Sequence, residues 1–187
     1  RDVSKWDVSS VRIMEGMFRN AKFNDNISNW DVSSVTVMDG MFRSAEAFSG
    51  DISKWDVSSV TKMQNMFEGA TSFNSDISNC NVSRVTTMTS MFKGATKFAS
   101  DISKWDVSSV TDVSFMFSYA DLFNGDIWNW DVSSVEKAYG MFLYAVSFNG
   151  DLSRWNVTSV KHMSAMFRDA VSFKQNLCGA AWVHSKA

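Results

Sequence analysis

Hydrophobic and polar residues along this chain form a pattern that returns at a fixed interval. A Met-Phe pair marks the interval most sharply, and successive pairs are 24 residues apart once and 25 residues apart thereafter. The Met of each pair stands at positions 17, 41, 66, 91, 116, 141 and 166. Self-similarity of this length is typical of stacked repeats, because no single repeat can bury its apolar face alone. We therefore predict about seven repeats of 24–25 residues that share one set of core positions.

The spacing of apolar residues inside one repeat predicts a short helix. In the third repeat these residues occupy positions i, i+3, i+6, i+7 and i+10, which lie on one helix face. Ser58 or Ser59 can cap the start of the helix by accepting from free backbone N–H groups, and Gly69 weakens its other end. The predicted inward face consists of Val60, Met63, Met66, Phe67 and Ala70.

Before each predicted helix the pattern changes to alternation, which predicts a short strand. Trp55 and Val57 are apolar, whereas Lys54 and Asp56 are polar, as expected for a strand with a core on one side. Strands of successive repeats would then pair in parallel, with the helices stacked on the other side. The predicted fold is a right-handed α/β solenoid of about seven coils, each with one short helix and one short parallel strand.

The repeats cover nearly the whole chain, so we expect one solenoid domain over residues 1–187. Because the first residue falls inside a repeat, we expect this domain to be a fragment of a longer array. The pattern dissolves in the sequence NLCGAAWVHSKA. We therefore expect residues 178–187 to form an irregular or capping tail.

Composition and charge exclude several classes of function. A chain that is 45% hydrophobic, with nine Gly and no Pro, is expected to fold. The net charge of −2 arises from interspersed signs and provides no basic field, so nucleic acid is not expected as a partner. The apolar runs fall far short of the roughly 20 residues that span a bilayer, so no membrane insertion is expected within this chain.

Candidate catalytic and metal-binding residues are few. The many Ser residues lack a positioned His and acid, so we expect no enzymatic activity. His162, His184 and Cys178 do not have the spacing of a zinc site, and we expect neither metal nor cofactor. Asp residues recur in two columns, but each repeat offers too few oxygens for the roughly six to eight that calcium requires. Capping of turns is the better interpretation of these columns.

The repeat consensus reads Val-Thr-x-Met-x-x-Met-Phe-x-x-Ala-x-x-Phe-Asn-x-Asp-Ile-Ser-x-Trp-Asp-Val. It resembles the repeat of BspA-like leucine-rich-repeat surface proteins, especially the branch of 25-residue repeats found in mycoplasma lipoproteins and protists. The resemblance implies a leucine-rich-repeat-like solenoid, a cell-surface or extracellular location, and attachment or partner binding without a catalytic motif. Cys80 departs from the consensus because it replaces Trp, and we expect a buried free thiol in a slot sized for an indole.

Large apolar residues in the fifth and sixth repeats break the repetition. All three Tyr lie there, at positions that are polar or small in most other repeats. Exposed aromatic residues are typical anchors of interfaces. The alternative is core repair, in which Phe115 or Tyr139 turns inward because Val113 and Ala138 replace a large Met. The candidate partner-binding site is centred on Tyr119, Tyr144 and Trp128, and Phe115 and Tyr139 contribute to it if they point outward. The alternative for Trp128, which belongs to the strand side, is a second, separate spot.

These observations predict a non-catalytic binding module for cell-surface adhesion or protein–protein interaction, with a protein or a surface glycan as its ligand. Two alternatives stay open. The chain could be a purely structural spacer, or its Thr column could bind a repetitive surface such as ice or polysaccharide, although charged residues interrupt that column. The column consists of Thr36, Thr61, Thr86 and Thr111.

Overall fold

The computed structural model describes residues 2–183. Successive repeats lie side by side and are joined by single-residue parallel β-bridges at Ile13, Val37, Lys62, Thr87, Asp112, Lys137 and His162. Within residues 2–183, α1 (Ala180–Val183) is the one α-helix, and no strand is longer than a bridge. No helix in this range combines the length and the apolar character needed to cross a bilayer.

The segment that follows each bridge is a run of β-turns rather than a helix. In the first repeat, Arg19 N donates to Gly16 O at 3.0 Å, which joins residues three apart. Every second N–H group donates to the next repeat, as Gly16 N does to Asp39 O at 2.9 Å and Phe18 N to Met41 O at 2.8 Å. An α-helix needs each N–H to bond the carbonyl four residues earlier. Alternate N–H groups therefore donate to carbonyls of the neighbouring repeat and are not available for a helix.

Every repeat also contains two residues with a left-handed backbone, which an α-helix cannot accommodate. They are four positions apart, and their φ angles lie between 54° and 69°. A right-handed helix requires φ near about −63° at every residue. In the first four repeats these positions hold Gly, Asn or Ser, namely Gly16, Asn20, Gly40, Ser44, Asn65, Gly69, Ser90 and Gly94.

The residues predicted to form a strand make turns as well. Trp55 N donates to Ile52 O at 3.1 Å, and Val60 N donates to Val57 O at 2.9 Å. The prediction of a right-handed, leucine-rich-repeat-like α/β solenoid, with a helix and a strand in each coil, is therefore wrong. The repeats are built from turns, and hydrogen bonds between repeats replace those of a helix.

The predicted inward face is nevertheless right. Val60, Met63, Met66, Phe67 and Ala70 are each 2% exposed or less. The spacing of apolar residues records which side chains point to the interior, and a run of turns can place the same positions inward as a helix would. The pattern therefore identified the core but not the backbone that carries it.

Columns of aromatic rings run through the core from repeat to repeat. The Phe of the Met-Phe pair forms one column from Phe18 to Phe167, with neighbouring centroids 5.6–5.8 Å apart. Indoles form another, in which Trp55 Nε1 donates to Ile27 O at 3.1 Å. Each such bond satisfies a buried indole N–H and ties one repeat to the preceding one.

The tail continues the indole column out of register. Trp182 lies in α1, donates from Nε1 to Leu152 O at 3.0 Å, and packs against the core. A Trp one period after Trp155 would stand at position 180, so the tail supplies the indole two residues late. Residues 184–187, which complete the predicted tail, lie outside the described residues.

Candidate functional site

Four of the predicted partner-binding residues form two ring pairs on the surface of the fifth and sixth repeats. The rings of Tyr119 and Tyr144 stack with centroids 4.8 Å apart and planes at 15°. Phe115 and Tyr139 make an edge contact, with centroids 4.9 Å apart and planes at 71°. Tyr119 and Tyr139 are 45% and 43% exposed, whereas Phe115 and Tyr144 are half-buried. Phe115, Tyr119, Tyr139 and Tyr144 are hereafter the aromatic patch.

Three residues of the aromatic patch have a left-handed backbone. The φ angle is 58° at Phe115 and 56° at both Tyr119 and Tyr144. An L-residue other than Gly loses roughly 1–2 kcal/mol in this conformation, because its Cβ approaches the following carbonyl oxygen. The repeats thus impose the strained conformation at these positions. The fifth and sixth repeats have large aromatic residues at three of their four left-handed positions.

The aromatic patch does not repair the core. Val113 and Ala138 are buried, and a cavity of about 10 Å³ remains beside them. Neither Phe115 nor Tyr139 lines that cavity. The Phe115 ring instead covers Gly140 of the next repeat, where an added Cβ would lie 2.8 Å from Phe115 Cε1. The interpretation of these two aromatic residues as core repair is therefore wrong.

Ser118, beside the tyrosines, was not identified from the sequence, whereas Leu143 was among the large apolar residues that broke the repetition. Ser118 is fully buried, and its Oγ has no hydrogen-bond partner among residues 2–183. Leu143 occupies the equivalent position one repeat later. The first four repeats hold a charged residue at this position. The signal that could have identified Ser118 is therefore the loss of that charge. The charged residues are Arg19, Arg43, Glu68 and Lys93.

Charged groups border the aromatic patch on both sides. Lys93 Nζ lies 5.5 Å from the centroid of the Phe115 ring and 3.4 Å from Glu68 Oε1. At the other side, the Asp169 carboxylate raises the pKa of Tyr144 by accepting a hydrogen bond from its hydroxyl and by its negative charge. The patch therefore has an aromatic centre and a polar border.

Trp128 lies in a different part of the repeat, next to the turn in which Trp130 N donates to Ile127 O at 3.1 Å. Its half-buried ring has Arg154 Cζ 4.3 Å from the centroid. An open cleft of about 410 Å³ adjoins it, lined by Asn124, Gly125, Asp126, Trp128, Asn149, Gly150 and Asp151. We refer to this feature as the Trp128 cleft. No residue of the aromatic patch lines this cleft. Trp128 therefore fits the alternative of a second, separate spot rather than the centre of one site with Tyr119 and Tyr144.

The Asp columns cap turns. Asp56 Oδ1 accepts from Ser58 N at 3.0 Å, and Asp51 Oδ1 accepts from Ser53 N at 2.9 Å. The Ser58 hydroxyl and backbone N–H lower the pKa of Asp56, because their hydrogen bonds favour the carboxylate. The turn-capping interpretation is confirmed. Among residues 2–183, no three potential metal-ligating side chains come together, and His184 lies outside that range.

Cys80 interrupts the indole column. Its free thiol is half-buried rather than fully buried as predicted. Burial raises the pKa of the thiol to about 11, and the charge of Asp76 adds to the effect. A cavity of about 20 Å³ lies beside it, lined by apolar residues that include Trp55 and Trp105. Cys80 thus leaves part of an indole-sized slot empty.

The repeats match a known family over almost their full extent. Residues 1–103 and 75–182 match the family described as Mycoplasma protein of unknown function, DUF285. The chain belongs to the DUF285 family. Membership in DUF285 agrees with the mycoplasma branch of the resemblance, but it does not confirm BspA-like leucine-rich repeats. A search of the curated proteins found no match to the chain.

Proposed function

We propose that this DUF285 chain is a non-catalytic binding module whose aromatic patch binds a partner protein. The observation that carries the proposal is the left-handed backbone of Phe115, Tyr119 and Tyr144. The first four repeats use Gly, Asn or Ser at these positions, and the seventh uses Ala165 and Asp169. Large rings occupy both positions of the fifth repeat and one of the sixth, where Gly140 occupies the other. Strained backbone persists only where the surrounding structure over-determines it, and it is concentrated at functional sites.

The energetics of the aromatic patch support the same proposal. Three left-handed residues cost roughly 3–6 kcal/mol together, whereas two aromatic contacts contribute about 1–3 kcal/mol. Burial in the folded chain offsets only part of the difference, because Phe115 and Tyr144 are half-buried and Tyr119 is 45% exposed. Burial against a partner would remove these rings from water, which gives the strained arrangement a physical benefit in the complex.

The patch also has the composition of a protein interface. Tyr is enriched among the residues that dominate binding energy, because its large ring loses little conformational entropy. The ring pairs limit side-chain motion before binding, and Lys93 and Asp169 provide charged groups at the border. An apolar centre within a polar rim is the usual layout of a specific interface.

We extend the proposal to adhesion at the cell surface or in the extracellular space. Support comes from the resemblance of the repeat to those of BspA-like surface proteins. Absence of catalysis is part of the same proposal. The Ser side chains that could have suggested a nucleophile sit in capped turns, as Ser58 and Ser108 do beside Asp56 and Asp106.

A structural role accounts for the Thr column, which weakens the alternative of an ice-binding or polysaccharide-binding face. Thr61 Oγ1 donates to Thr36 O at 3.2 Å, and Thr111 Oγ1 donates to Thr86 O at 3.2 Å. Each hydroxyl therefore links its repeat to the preceding one. The spacer alternative differs from our proposal in expecting no partner at all.

The double substitution Tyr119→Gly and Tyr144→Gly tests the proposal. Gly is chosen because Gly69 and Gly94 occupy the same column with positive φ. Binding of the labelled protein to intact host cells and to immobilised matrix proteins is measured for the parent and the variant. We expect a loss of about tenfold or more, equivalent to at least about 1.4 kcal/mol, without a lower thermal midpoint.

Trp128→Ser is the matched control, because it removes an aromatic ring outside the patch and introduces the Ser found at positions 103 and 153. It should leave binding to matrix proteins stripped of their glycans unchanged, because Trp128 lies outside the aromatic patch. Equal binding by the parent and the double variant would show that the patch is not the interface. Absence of any binding by the parent would favour the spacer.

A further inference from the structure

We propose that the Trp128 cleft is a second binding site and that its ligand is a neutral pyranose unit of a glycan. This inference is independent of the proposed function, because the cleft lies in another part of the repeat and shares no residue with the aromatic patch. Four observations carry it: the shape of the cleft, the placement of the indole, the polar groups around it and the balance of charge.

The shape of the cleft follows from a local repetition. The tripeptide Asn-Gly-Asp occurs at 124–126 and again at 149–151, and no other two neighbouring repeats both have Gly at this position. An added Cβ on Gly125 would lie 2.9 Å from the Phe123 ring. In the third and fourth repeats the same position holds Ser75 and Ser100. Gly125 and Gly150 thus allow the Phe123 and Phe148 rings to approach the backbone closely, and both glycines border an opening of about 410 Å³.

Trp128 forms an aromatic wall of this opening. Arg154 Cζ lies 4.3 Å from the centre of its ring, but Arg154 does not line the cleft. The guanidinium therefore stacks on one face of the indole and restricts its motion. A pyranose ring presents a face of weakly positive C–H groups, which can pack on the negative face of an indole.

Two Asn side chains supply oriented donors. Asn124 Oδ1 accepts from Asn149 N at 2.8 Å, and Asn149 Oδ1 accepts from Lys174 N at 2.9 Å. Because both oxygens are engaged by backbone, the orientation of each amide is set. The Nδ2 groups have no protein acceptor within residues 2–183 and can donate to the hydroxyl oxygens of a sugar.

Two Asp side chains supply oriented acceptors. Asp126 Oδ1 accepts from Trp128 N at 3.3 Å, and Asp151 Oδ1 accepts from Ser153 N at 2.8 Å. The second oxygen of each carboxylate remains available for a sugar hydroxyl. Paired donors and acceptors beside one aromatic wall match the chemistry of a polyhydroxylated ring.

The charge around the cleft favours a neutral ligand. Asp126 and Asp151 would repel an anionic sugar or a phosphate. Arg154 already occupies the indole as its cation and lowers the pKa of Asp151 in addition to the hydrogen bonds from Ser153. A cationic ligand would therefore lie close to the positive charge of Arg154, which disfavours it.

Saturation-transfer NMR with methyl glycosides of glucose, galactose, mannose and N-acetylglucosamine tests the assignment. We expect saturation transfer to the C–H protons of at least one glycoside, together with a shift of the Trp128 indole N–H resonance. Trp128→Ser should weaken binding by about tenfold or more, equivalent to at least about 1.4 kcal/mol. Gly125→Ser should also weaken it, because the added Cβ would lie 2.9 Å from the Phe123 ring and would displace the segment that lines the cleft.

The variant with Tyr119→Gly and Tyr144→Gly is the matched control and should bind the glycoside as the parent does. Its glycoside binding distinguishes the glycan site from the proposed protein interface, because each site can lose its ligand without affecting the other. Absence of transfer to all four glycosides would overturn the assignment, as would equal transfer to the Trp128→Ser variant. Tighter binding of tetramethylammonium or inorganic phosphate than of every glycoside would show that the ligand is charged.

Discussion

Two regions along the same edge of the repeats differ sharply in side chains although they share one backbone. In the second to fourth repeats, Arg43 Nε lies 2.8 Å from Glu68 Oε2, and Lys93 Nζ lies 3.4 Å from Glu68 Oε1. We refer to these three residues as the charged row. In the fifth and sixth repeats the equivalent positions hold Ser118 and Leu143, and the adjoining positions hold Tyr119 and Tyr144.

The difference shows that the backbone of these repeats does not dictate their surface. Beside the charged row, the left-handed positions hold Ser44, Gly69 and Gly94, which are small. Beside Ser118 and Leu143 the same conformation is imposed on tyrosines. The hydrogen bonds between repeats are the same in both regions, since Gly94 N donates to Ser118 O at 2.7 Å and Tyr119 N to Leu143 O at 2.8 Å. The strained tyrosines therefore lie on a backbone with the same hydrogen bonds between repeats as the region of the charged row.

The largest expected effect tests whether the core is equal under both regions. Phe92→Ala should lower the free energy of unfolding by about 3–5 kcal/mol, because it truncates a fully buried ring in the central column. Phe142→Ala, under the aromatic patch, should cost a similar amount. Denaturant unfolding measures both. A loss below about 1 kcal/mol for Phe92→Ala would contradict the assigned core face.

The next effect concerns a defect under the charged row. Cys80→Trp should raise the free energy of unfolding by about 1–2 kcal/mol, because it buries apolar surface in a partly empty slot. Its indole N–H would reach Ile52 O, as Trp105 Nε1 reaches Ile77 O at 3.0 Å. The denaturant midpoint is the measurement. A midpoint below that of the parent would mean that Trp55 and Trp105 have closed the slot and that the new ring overpacks it.

A smaller effect compares the left-handed positions directly. Gly94→Ala should destabilise by about 1 kcal/mol, because φ is 68° and the new Cβ would meet nothing closer than 3.7 Å. Tyr119→Gly should leave stability within about 0.5 kcal/mol, since relief of strain offsets the lost ring contact. Thermal unfolding of the two variants gives the comparison. Equal destabilisation by both would show that the tyrosines carry no strain.

The smallest effect concerns the turn caps that both regions share. The pKa of Asp56 in the folded protein lies below its ordinary value of 3.8, chiefly because the Ser58 hydroxyl and then the Ser58 N–H donate to it. This cap therefore contributes stability above about pH 4, and the contribution is lost as the pH falls through the lowered pKa. Asp56→Asn should reduce this acid dependence.

At neutral pH the same substitution should change stability little, because Asn81 already caps the equivalent turn by accepting from Ser83 N at 3.1 Å. Unfolding midpoints measured from about pH 2 to pH 7 give the result. Asp106→Asn, in the repeat next to the aromatic patch, is the matched variant. An acid dependence identical to that of the parent in both variants would show that other carboxylates account for it.

Much of the architecture could be predicted from the repeats, but the backbone could not. The period of 24–25 residues is confirmed by bridges that join Ile13 to Val37 and Val37 to Lys62. The inward face and the Asp caps are also as predicted. The helix prediction is wrong because the spacing of apolar residues does not indicate which carbonyl accepts the hydrogen bond of each N–H group. Gly or Asn at one or both of two positions four residues apart in the first four repeats was the available signal for left-handed backbone.

The candidate site was likewise only partly predictable from the sequence. The aromatic residues of the fifth and sixth repeats stood out because they broke a regular pattern. Whether Phe115 and Tyr139 filled the core depended on the shape of the cavity beside Val113 and Ala138, which no spacing reveals. The contribution of Gly125 and Gly150 to the Trp128 cleft was likewise invisible, since a cleft requires two repeats to be placed side by side.

The sequence by itself determined the period, the side chains that face inward and the residues that cap turns, because each follows from local chemistry repeated at a constant interval. Only the tertiary structure decided the backbone. Gly16 N can bond a carbonyl of its own segment or Asp39 O, and the second choice exists only when the next repeat lies alongside. Once it does, each repeat satisfies alternate N–H groups through its neighbour, and left-handed residues replace the helix that an isolated segment would favour.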